Sequence, residues 1–429
     1  MLKDIHKFSR REAGVTLASA FAGTAACAKH LTTEHIIQPD PKSGRVETGL
    51  ERLIRDDFKP LQGQRIGLVT NPTGVDSHLR TNIDILHASK KLKLVKLFGP
   101  EHGVRGDAAA GSEVGNSTDK LTGLPVYSLY GKSKRPSREM LSGLDALVFD
   151  IQDIGARSYT YISTMGLCME AAAEFRIPFY VLDRPNPAGG NRVEGNLLEP
   201  AFRSFIGRYR VPYLHGLTLG EMASYLNSTG NLEKGAKCQL KVILLSGWRR
   251  DMAWNETGLP WVPSSPHIPH AETSLFYSAT GMLTGLSNGV GYTLPFELAG
   301  APGLNGDRLA KILNSRHLPG VTFSPLTYVP FYAKYAKQSC GGVQLHLTEP
   351  NKVALTRLNF EIMDAVRKLQ PNRKFFTDSQ ETREFDLACG TNKVRQMIGA
   401  GTSSSEIWNY WNKDSLPFQR DRKPYLLYA

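Results

Sequence analysis

The chain is poor in cysteine, with five cysteines among 429 residues, and none of them has the spacing of a metal site or a redox pair. One is Cys27, and the other four are widely separated: Cys168, Cys238, Cys340 and Cys389. Disulfide scaffolds and zinc sites place their cysteines close together in the sequence. We therefore predict buried free thiols and no metal site.

Motifs that bind nucleotide cofactors are also lacking. The first predicted strand, residues 65–70, is followed by Asn71-Pro72-Thr73-Gly74, where a dinucleotide-binding fold would place a G-x-G-x-x-G turn. A Walker lysine motif is missing as well. The sequence gives no support for a nicotinamide cofactor or a nucleoside triphosphate, and we predict that the protein uses no cofactor.

The charge is strongly positive, at a formal +12, but the basic residues are scattered along the chain. We find no zinc-finger spacing, and no alternation of basic and aromatic residues of the kind that stacks bases in a positive groove. A solvated basic surface explains the charge better than nucleic-acid binding does. Nucleic acid is therefore not a predicted partner.

The N-terminal segment, residues 1–28, has the pattern of an export signal. The pair Arg10-Arg11 resembles a twin-arginine signal, and it precedes a small-residue apolar run at 13–28. That run is shorter than the roughly 20 residues that span a bilayer. We predict an exported, periplasmic protein that is cleaved after this segment and has no transmembrane segment in its mature chain. Cys27 offers the alternative of a lipid-modified N-terminus.

The remaining length exceeds the roughly 100–200 residues of a usual domain, which predicts two domains. Residues 29–49 are polar, contain prolines and read as a linker. From residue 50, strands, turns and helices alternate, which favours a parallel sheet with crossover helices. We predict an α/β fold with a Rossmann-like catalytic domain at 50–253 and a smaller α/β (or α+β) domain at 254–429 that closes a cleft.

Acidic and basic side chains follow three of the predicted strands. In an open α/β sheet, ligands bind beyond the carboxyl ends of the strands. The three clusters are therefore expected to share one edge of the sheet: Glu101, His102 and Arg105; Asp150, Asp153 and Arg157; Asp183, Arg184 and Asn186.

Carboxylates without a cofactor suit acid/base hydrolysis, notably of glycosides. Glu101 is the predicted proton donor, because partial burial at a strand end disfavours the charged form of a carboxyl group. The alternative is that Glu101 only pairs with His102 or Arg105. Asp150 and Asp153 are candidates for further acid/base roles, although two positions three apart at a strand end need not converge, so one of them could be purely structural.

Seven blocks of the sequence resemble the exo-β-N-acetylmuramidase (NamZ-type) family, long catalogued as a domain of unknown function. The resemblance covers nearly all of the chain from residue 50 to the final YLLY. The blocks are LVTNPTGV at 68–75, FGPEHGVRG at 98–106, TGLPVYSLYG at 122–131, VFDIQDIGARSYTYIST at 148–164, LDRPNPAGG at 182–190, HGLTLGE at 215–221 and WVPSSPHIP at 261–269.

This resemblance implies a glycosidase that releases N-acetylmuramic acid from the non-reducing ends of peptidoglycan fragments during cell-wall turnover. The expected substrates are muropeptides or MurNAc-GlcNAc saccharides. It implies a Rossmann-like N-terminal domain, a smaller C-terminal domain and a cleft between them. The motif glutamate corresponds to Glu101, with His102 beside it.

Muramic acid carries a group that the arginines of these sequence blocks could bind. Its lactyl group carries a carboxylate, which a planar guanidinium can bind through two hydrogen bonds. Arg105 and Arg157 are the candidate clamps, and the alternative for each of them is an internal pair with Asp150 or Asp153.

Other candidates for substrate binding are weaker. Tyr159 could stack on the sugar, although aromatic residues in α/β proteins are more often part of the core. Glu272 could contact substrate or serve as a helix cap. The resemblance also leads us to expect a Ser-Glu-Gly-Arg-Gly-like loop, where this chain has SNGVG at 287–291 and lacks both the acid and the arginine. A shift in substrate specificity is expected if that loop contacts the distal sugar or the lactyl group.

Two other functions stay open from the residues alone. A non-catalytic periplasmic muropeptide-binding protein would need the same cleft and clamp. A hydrolase of related N-acetylhexosamine glycosides would need no arginine for a lactyl group.

Overall fold

The computed structural model describes residues 44–106, 116–131 and 133–429, which form one compact unit. The predicted export segment and most of the predicted linker lie outside these residues. The strands, in chain order, are β1 Arg65–Thr70, β2 Lys93–Gly99, β3 Ser117–Thr118, β4 Pro125–Ser128, β5 Ala146–Asp150, β6 Phe179–Leu182, β7 Leu240–Ile243, β8 Leu298–Pro302, β9 Val321–Tyr328 and β10 Cys340–Leu347.

The helices belong mostly to the faces of two sheets. In chain order they are α1 Gly49–Arg55, α2 Asn82–Ala88, α3 Arg138–Leu141, α4 Tyr161–Phe175, α5 Leu219–Ser228, α6 Thr273–Thr280, α7 Gly306–Asn314, α8 Arg357–Leu369, α9 Ser379–Cys389, α10 Lys393–Gly399, α11 Ser404–Trp411 and α12 Ser415–Asp421.

The larger sheet has the strand order β3-β4-β2-β1-β5-β6-β7 within the described residues. All its neighbouring strands are parallel except β3 and β4. Every residue of β5 and β6 is buried, as expected for strands covered on both faces by crossover helices. The predicted parallel α/β sheet is confirmed. The strand order reverses between β1 and β5, so the switch point where ligands bind in such sheets lies at the carboxyl ends of these two strands, with β2 next to β1.

Local sequence signals explain where the elements of this sheet begin and end. β1 occupies the six residues that the sequence predicts. At the start of α5, the sequence Thr218-Leu219-Gly220-Glu221 predicts a capping box, and the structure has it: each side chain bonds the other residue's backbone amide, at 3.2 and 3.0 Å. The box also positions Glu221 next to the C-terminal residues, where its carboxylate accepts a hydrogen bond from the amide of Leu427.

The smaller sheet has the order β8-β10-β9 and is antiparallel. The sequence predicts strands at 321–329 and 342–347 and a helix at 353–368, which lie within a few residues of β9, β10 and α8. It does not predict β8, because Gly300 and Pro302 make LAGAP a poor strand sequence. Pairing with the long neighbour β10 stabilises it nevertheless. The confirmed fold is therefore a mostly parallel sheet followed by a small mixed α/β layer.

Buried polar contacts join the two sheet layers. Glu194 accepts hydrogen bonds from the backbone of Leu355 and Thr356 at 3.1 and 2.8 Å, next to the start of α8. The C-terminal residues return to the first sheet, where the Tyr428 hydroxyl donates to Asp183 at 2.5 Å. The two layers therefore form a continuous interior.

The four cysteines of the described residues are free and buried, as predicted. None of the helices in the described ranges is long and apolar enough to cross a membrane.

Candidate active site

Glu101 lies just beyond the carboxyl end of β2, in a turn that reverses the chain. His102 and Gly103 both have positive φ, at 74° and 73°, and the Gly103 amide donates to the carbonyl of Pro100 at 3.0 Å. The Thr160 hydroxyl donates to Glu101 Oε2 at 3.1 Å. Glu101 is only partly buried, so the protein holds this residue and still leaves part of it open to solvent.

Tyr130 is a second hydroxyl partner of Glu101. Burial raises the pKa of Tyr130 to about 12, and the charge and the hydrogen bond of Glu101 contribute to that shift. The phenol therefore stays protonated and donates to the carboxylate. Sequence reasoning missed Tyr130, although it lies in the block TGLPVYSLYG.

Asp153 is a buried carboxyl group with incomplete hydrogen bonding. Its Oδ2 accepts from the Gly155 amide at 2.7 Å, and its Oδ1 has no partner. Burial raises the pKa of Asp153 to about 7, and this effect outweighs the backbone hydrogen bonds, which lower the pKa. A cavity of about 10 Å³ borders this residue, and it has room for roughly one water molecule. Asp153 is the described carboxyl that best fits proton exchange near neutral pH.

A group of tyrosines connects Glu101 with Asp153. Tyr159 and Tyr161 pack edge to face at 5.0 Å, and Tyr277 packs on Tyr159 at 5.8 Å. Burial raises the pKa of Tyr161 and of Tyr277, and the charges of both carboxylates raise it further. The two carboxylates therefore act on the same tyrosines. Tyr159 is partly buried, and its hydroxyl bonds the Ser264 hydroxyl at 2.8 Å.

Asp150 forms a fully buried ion pair with Arg184. The guanidinium donates to the two carboxylate oxygens at 2.6 and 3.2 Å, and Asn82 donates to Asp150 Oδ2 at 2.8 Å. Arg184 also donates to the carbonyl of Val75 at 3.0 Å. These contacts place Asp150 and Arg184 beneath the carboxyl edge of the sheet, where they fix the loops that follow β1 and β5.

Asp183 and Asn186 are also engaged in local structure. Asp183 accepts from the Thr218 hydroxyl at 2.7 Å, from the Gly220 amide at 2.8 Å and from Tyr428. Burial is the largest cause of its raised pKa, about 6. Asn186 bridges the Leu217 carbonyl and the Ala188 amide. The residues that follow β6 thus bind and position the neighbouring loops at the carboxyl edge of the sheet.

The two candidate clamps differ in their surroundings. Arg105 is partly exposed and pairs with Asp119 at 3.0 and 3.1 Å and with Asp84 at 3.3 Å. These pairs raise the pKa of Arg105 and hold the pKa of Asp119 at about 2. Its guanidinium lies next to the Glu101 turn, where a substrate carboxylate could compete for it.

Arg157 is buried, and its described partners are backbone carbonyls rather than Asp150 or Asp153. It donates to the carbonyls of Asn196 and Val211 at 2.7 Å each, and to those of Ala388 and Cys389 at 3.1 and 2.8 Å. Burial lowers its pKa to about 10. The internal pair with a carboxylate, considered from the sequence, is therefore not formed. The sequence could not reveal partners more than 200 residues away.

Glu272 lies apart from the Glu101 turn. It is exposed and lines a cavity of about 990 Å³ between the two layers, together with residues such as Asn191, Trp254 and Lys352. It precedes α6 without a side-chain capping bond. The structure thus brings Glu101, Asp153 and Tyr159 into one region and leaves Glu272 in another.

The geometry also bears on two other kinds of site, a serine-esterase nucleophile and a metal centre. The sequence GLSNG at 285–289 matches the G-x-S-x-G pattern of esterases. Ser287, however, is buried and bridges Gly300 backbone to backbone, away from any strand-to-helix turn. Among the described residues, no cluster of three or more His, Cys, Asp or Glu side chains could hold a metal ion.

Comparison with known proteins agrees with this architecture. The model described as "Exo-beta-N-acetylmuramidase NamZ, N-terminal" matches residues 66–272, and the corresponding C-terminal model matches residues 275–428. The peptidoglycan beta-N-acetylmuramidase NamZ of Bacillus subtilis (strain 168) is 46% identical over 389 residues, which cover 90% of this chain and 92% of that protein.

Two crystal structures of DUF1343 family proteins from Bacteroides fragilis NCTC 9343 have the same fold. One is 47% identical with a TM-score of 0.86, and the other is 30% identical with a TM-score of 0.73. Each match covers 90% of this chain and 99% of the other. The carboxylates at the switch point and these matches lead to one conclusion: the chain belongs to the NamZ family of exo-β-N-acetylmuramidases, which are glycoside hydrolases.

Proposed function

We propose that the protein releases N-acetylmuramic acid from the non-reducing ends of peptidoglycan fragments, with Glu101 as the general acid/base. One observation carries the assignment of Glu101. Glu101 is a partly exposed carboxyl group at the carboxyl end of β2, one strand from the switch point of the sheet, and the hydroxyls of Thr160 and Tyr130 hold it. The name of the Bacillus subtilis relative supports the substrate.

In the proposed reaction, Glu101 gives its proton to the glycosidic oxygen as the bond from that oxygen to the anomeric carbon breaks. Water then adds to the anomeric carbon and loses a proton to a carboxylate. If the anomeric configuration is retained, the oxygen of the substrate's own 2-acetamido group first bonds to the anomeric carbon as the leaving group departs. Water then displaces that oxygen and gives its proton to Glu101. If the configuration is inverted, Asp153 is the base, because its unpartnered Oδ1 and its pKa of about 7 suit it to accept a proton.

Arg105 is the proposed partner of the lactyl carboxylate. It follows Glu101 by four residues and is partly exposed, whereas the guanidinium of Arg157 is buried among carbonyls. Arg105→Gln should raise KM for a muramic acid glycoside and leave KM for the matching N-acetylglucosaminide unchanged. Equal changes for both substrates would remove Arg105 from lactyl recognition.

The test of the reaction is release of a chromophore from a β-N-acetylmuramic acid glycoside. Glu101→Gln should lower kcat by about 10²–10⁴-fold, the usual contribution of a general acid, while the exposed Glu139→Gln control stays at the starting rate. Cleavage of only the β-N-acetylglucosamine analogue would favour a hydrolase of related hexosaminides. Binding of muropeptides without turnover of either compound would favour a binding protein. Proton NMR of the first product formed distinguishes retention from inversion.

We further propose that the protein works in the periplasm in cell-wall turnover, after export through the twin-arginine signal. Replacement of Arg10 and Arg11 by lysine should keep the full-length precursor in the cytoplasmic fraction. A lipid-modified Cys27 would instead give a membrane-bound product that Cys27→Ala releases.

A further inference from the structure

Exposed aromatic side chains stand at one end of the smaller sheet. They belong to the aromatic loop, which we define as residues 329–337, between β9 and β10. Phe331 and Tyr332 are 67% and 54% exposed, and Val329 beside them is 43% exposed. Clustered apolar exposure of this kind marks a binding surface more often than scattered single residues do.

The aromatic loop is held in a fixed shape. The Phe331 amide donates to the Gly291 carbonyl at 2.7 Å, and the Lys337 amide donates to the Pro330 carbonyl at 2.8 Å. The Phe331 ring stacks on Tyr292 at 5.9 Å. The exposed rings are therefore preorganised, which lowers the entropy lost when a ligand binds.

A short series of contacts connects the aromatic loop to the Glu101 turn. The Tyr332 hydroxyl bonds His267 Nε2 at 2.9 Å. His267 lies in a turn closed by the bond from the Ile268 amide to the Ser265 carbonyl, directly after Ser264.

Ser264 in turn forms hydrogen bonds with two tyrosines near Glu101. Its carbonyl accepts from Tyr161 at 2.5 Å, and its hydroxyl bonds Tyr159. Thr160, between these tyrosines, donates to Glu101. In addition to burial, the charge of His102 lowers the pKa of His267. The aromatic loop is thus at the rim of the same site.

We propose that Tyr332 and Phe331 form the platform for the leaving-group sugar, the pyranose on the reducing side of the bond that is cut. This inference rests on the proposed function. An exo-acting enzyme encloses only the terminal sugar, so the rest of the glycan must leave through the open rim. The C–H face of a pyranose is apolar and packs on an aromatic ring, which has a large apolar surface.

The platform also gives a structural role to the SNGVG loop. Gly291 has a φ of 90°, and a Cβ there would lie 2.0 Å from the Tyr332 carbonyl oxygen. The glycine permits the close approach of the two loops. The divergent residues Asn288 and Val290 therefore belong to the segment that supports the platform.

The experiment compares a disaccharide with a substrate whose leaving group has no ring. MurNAc-GlcNAc and the β-fluoride of N-acetylmuramic acid are assayed with Tyr332→Ala and Phe331→Ala. We expect kcat/KM for the disaccharide to fall about tenfold for the loss of one stacking ring, mainly through KM, with the fluoride unaffected. Tyr332→Phe keeps the ring and should stay near the starting value, as should Leu416→Ala, an exposed apolar control on α12.

Equal losses for both substrates, or no loss for the disaccharide, would overturn the platform while the hydrolase assignment stands. A dimer in solution that Phe331→Ala dissociates, with kcat/KM unchanged, would assign this surface to self-association and also overturn it. If the unsubstituted protein cleaves neither substrate, the proposed function fails, and the platform fails with it.

Discussion

Asp153→Asn should stabilise the protein, and the gain should grow with pH. Burial raises the pKa of Asp153 from 3.8 to about 7, so the folded state binds this proton more tightly than the unfolded state does. Stability from this group is fully present below pH 3.8 and is lost as the pH rises to about 7. Asparagine has nearly the same shape and no charge, so the variant keeps its stability at high pH.

The size of the effect follows from the shift. Each pKa unit corresponds to about 1.4 kcal/mol. Asp153 therefore costs about 2 kcal/mol at pH 5, where folding must protonate it, and about 4 kcal/mol at pH 8, where the folded protein holds the charge. Because Asp153 is buried, solvent screening reduces these values little. Its unpartnered Oδ1 means that the substitution removes few favourable contacts.

The assay is urea unfolding of both proteins at pH 5 and pH 8, followed by tryptophan fluorescence. Asp183→Asn is the matched control, because Asp183 is equally buried but accepts hydrogen bonds through both oxygens. That variant should lose about 3 kcal/mol at pH 5, since buried donors lose their acceptor. Because the pKa of Asp183 is raised only to about 6, its stability change should vary between pH 5 and pH 8 roughly half as much as that of Asp153→Asn. Equal stability changes for Asp153→Asn at the two pH values would refute the reasoning, because the folded protein would then hold no costly charge at this position.

Three other substitutions test single contacts. Tyr130→Phe should lower kcat about tenfold without changing Tm, because one hydrogen bond to the carboxyl group of the acid is worth roughly 1.5 kcal/mol; steady-state kinetics and thermal unfolding check this. Arg157→Met should lower the free energy of unfolding by about 3–5 kcal/mol in urea, because four carbonyls lose a charged donor. Gly291→Ala should lower Tm far more than Gly303→Ala, since both glycines have positive φ but only Gly291 is crowded, and similar Tm losses would contradict that.

The sequence predicts the elements whose signals are local. β1 is a run of apolar residues between a charged residue and a turn, and α5 starts at a capping box, so both were found at or next to their true bounds. β8 could not be found, because its sequence carries glycine and proline and its pairing with β10 is not local. Tertiary pairing overrides propensity at such places.

The candidate site shows the same division. Strand ends and residue types were enough to group Glu101 and Asp153 at one edge of the sheet. They could not show that Asp150 is enclosed by Arg184 and Asn82, because those partners come from separate loops. Nor could they show that Tyr130, which follows β4, reaches Glu101, which follows β2. Charge type is local information, whereas the choice of partner depends on the complete packing.

The contact between Tyr428 and Asp183 has a consequence for how the chain is synthesised. A ribosome makes the first sheet long before Tyr428 emerges, so during that time the carboxylate at the end of β6 lacks one of its hydroxyl donors. The amide of Leu427 and the carboxylate of Glu221 are separated for the same interval. We expect the nascent first layer to remain loosely packed until the tail arrives, and folding to finish as a late, cooperative, post-translational step.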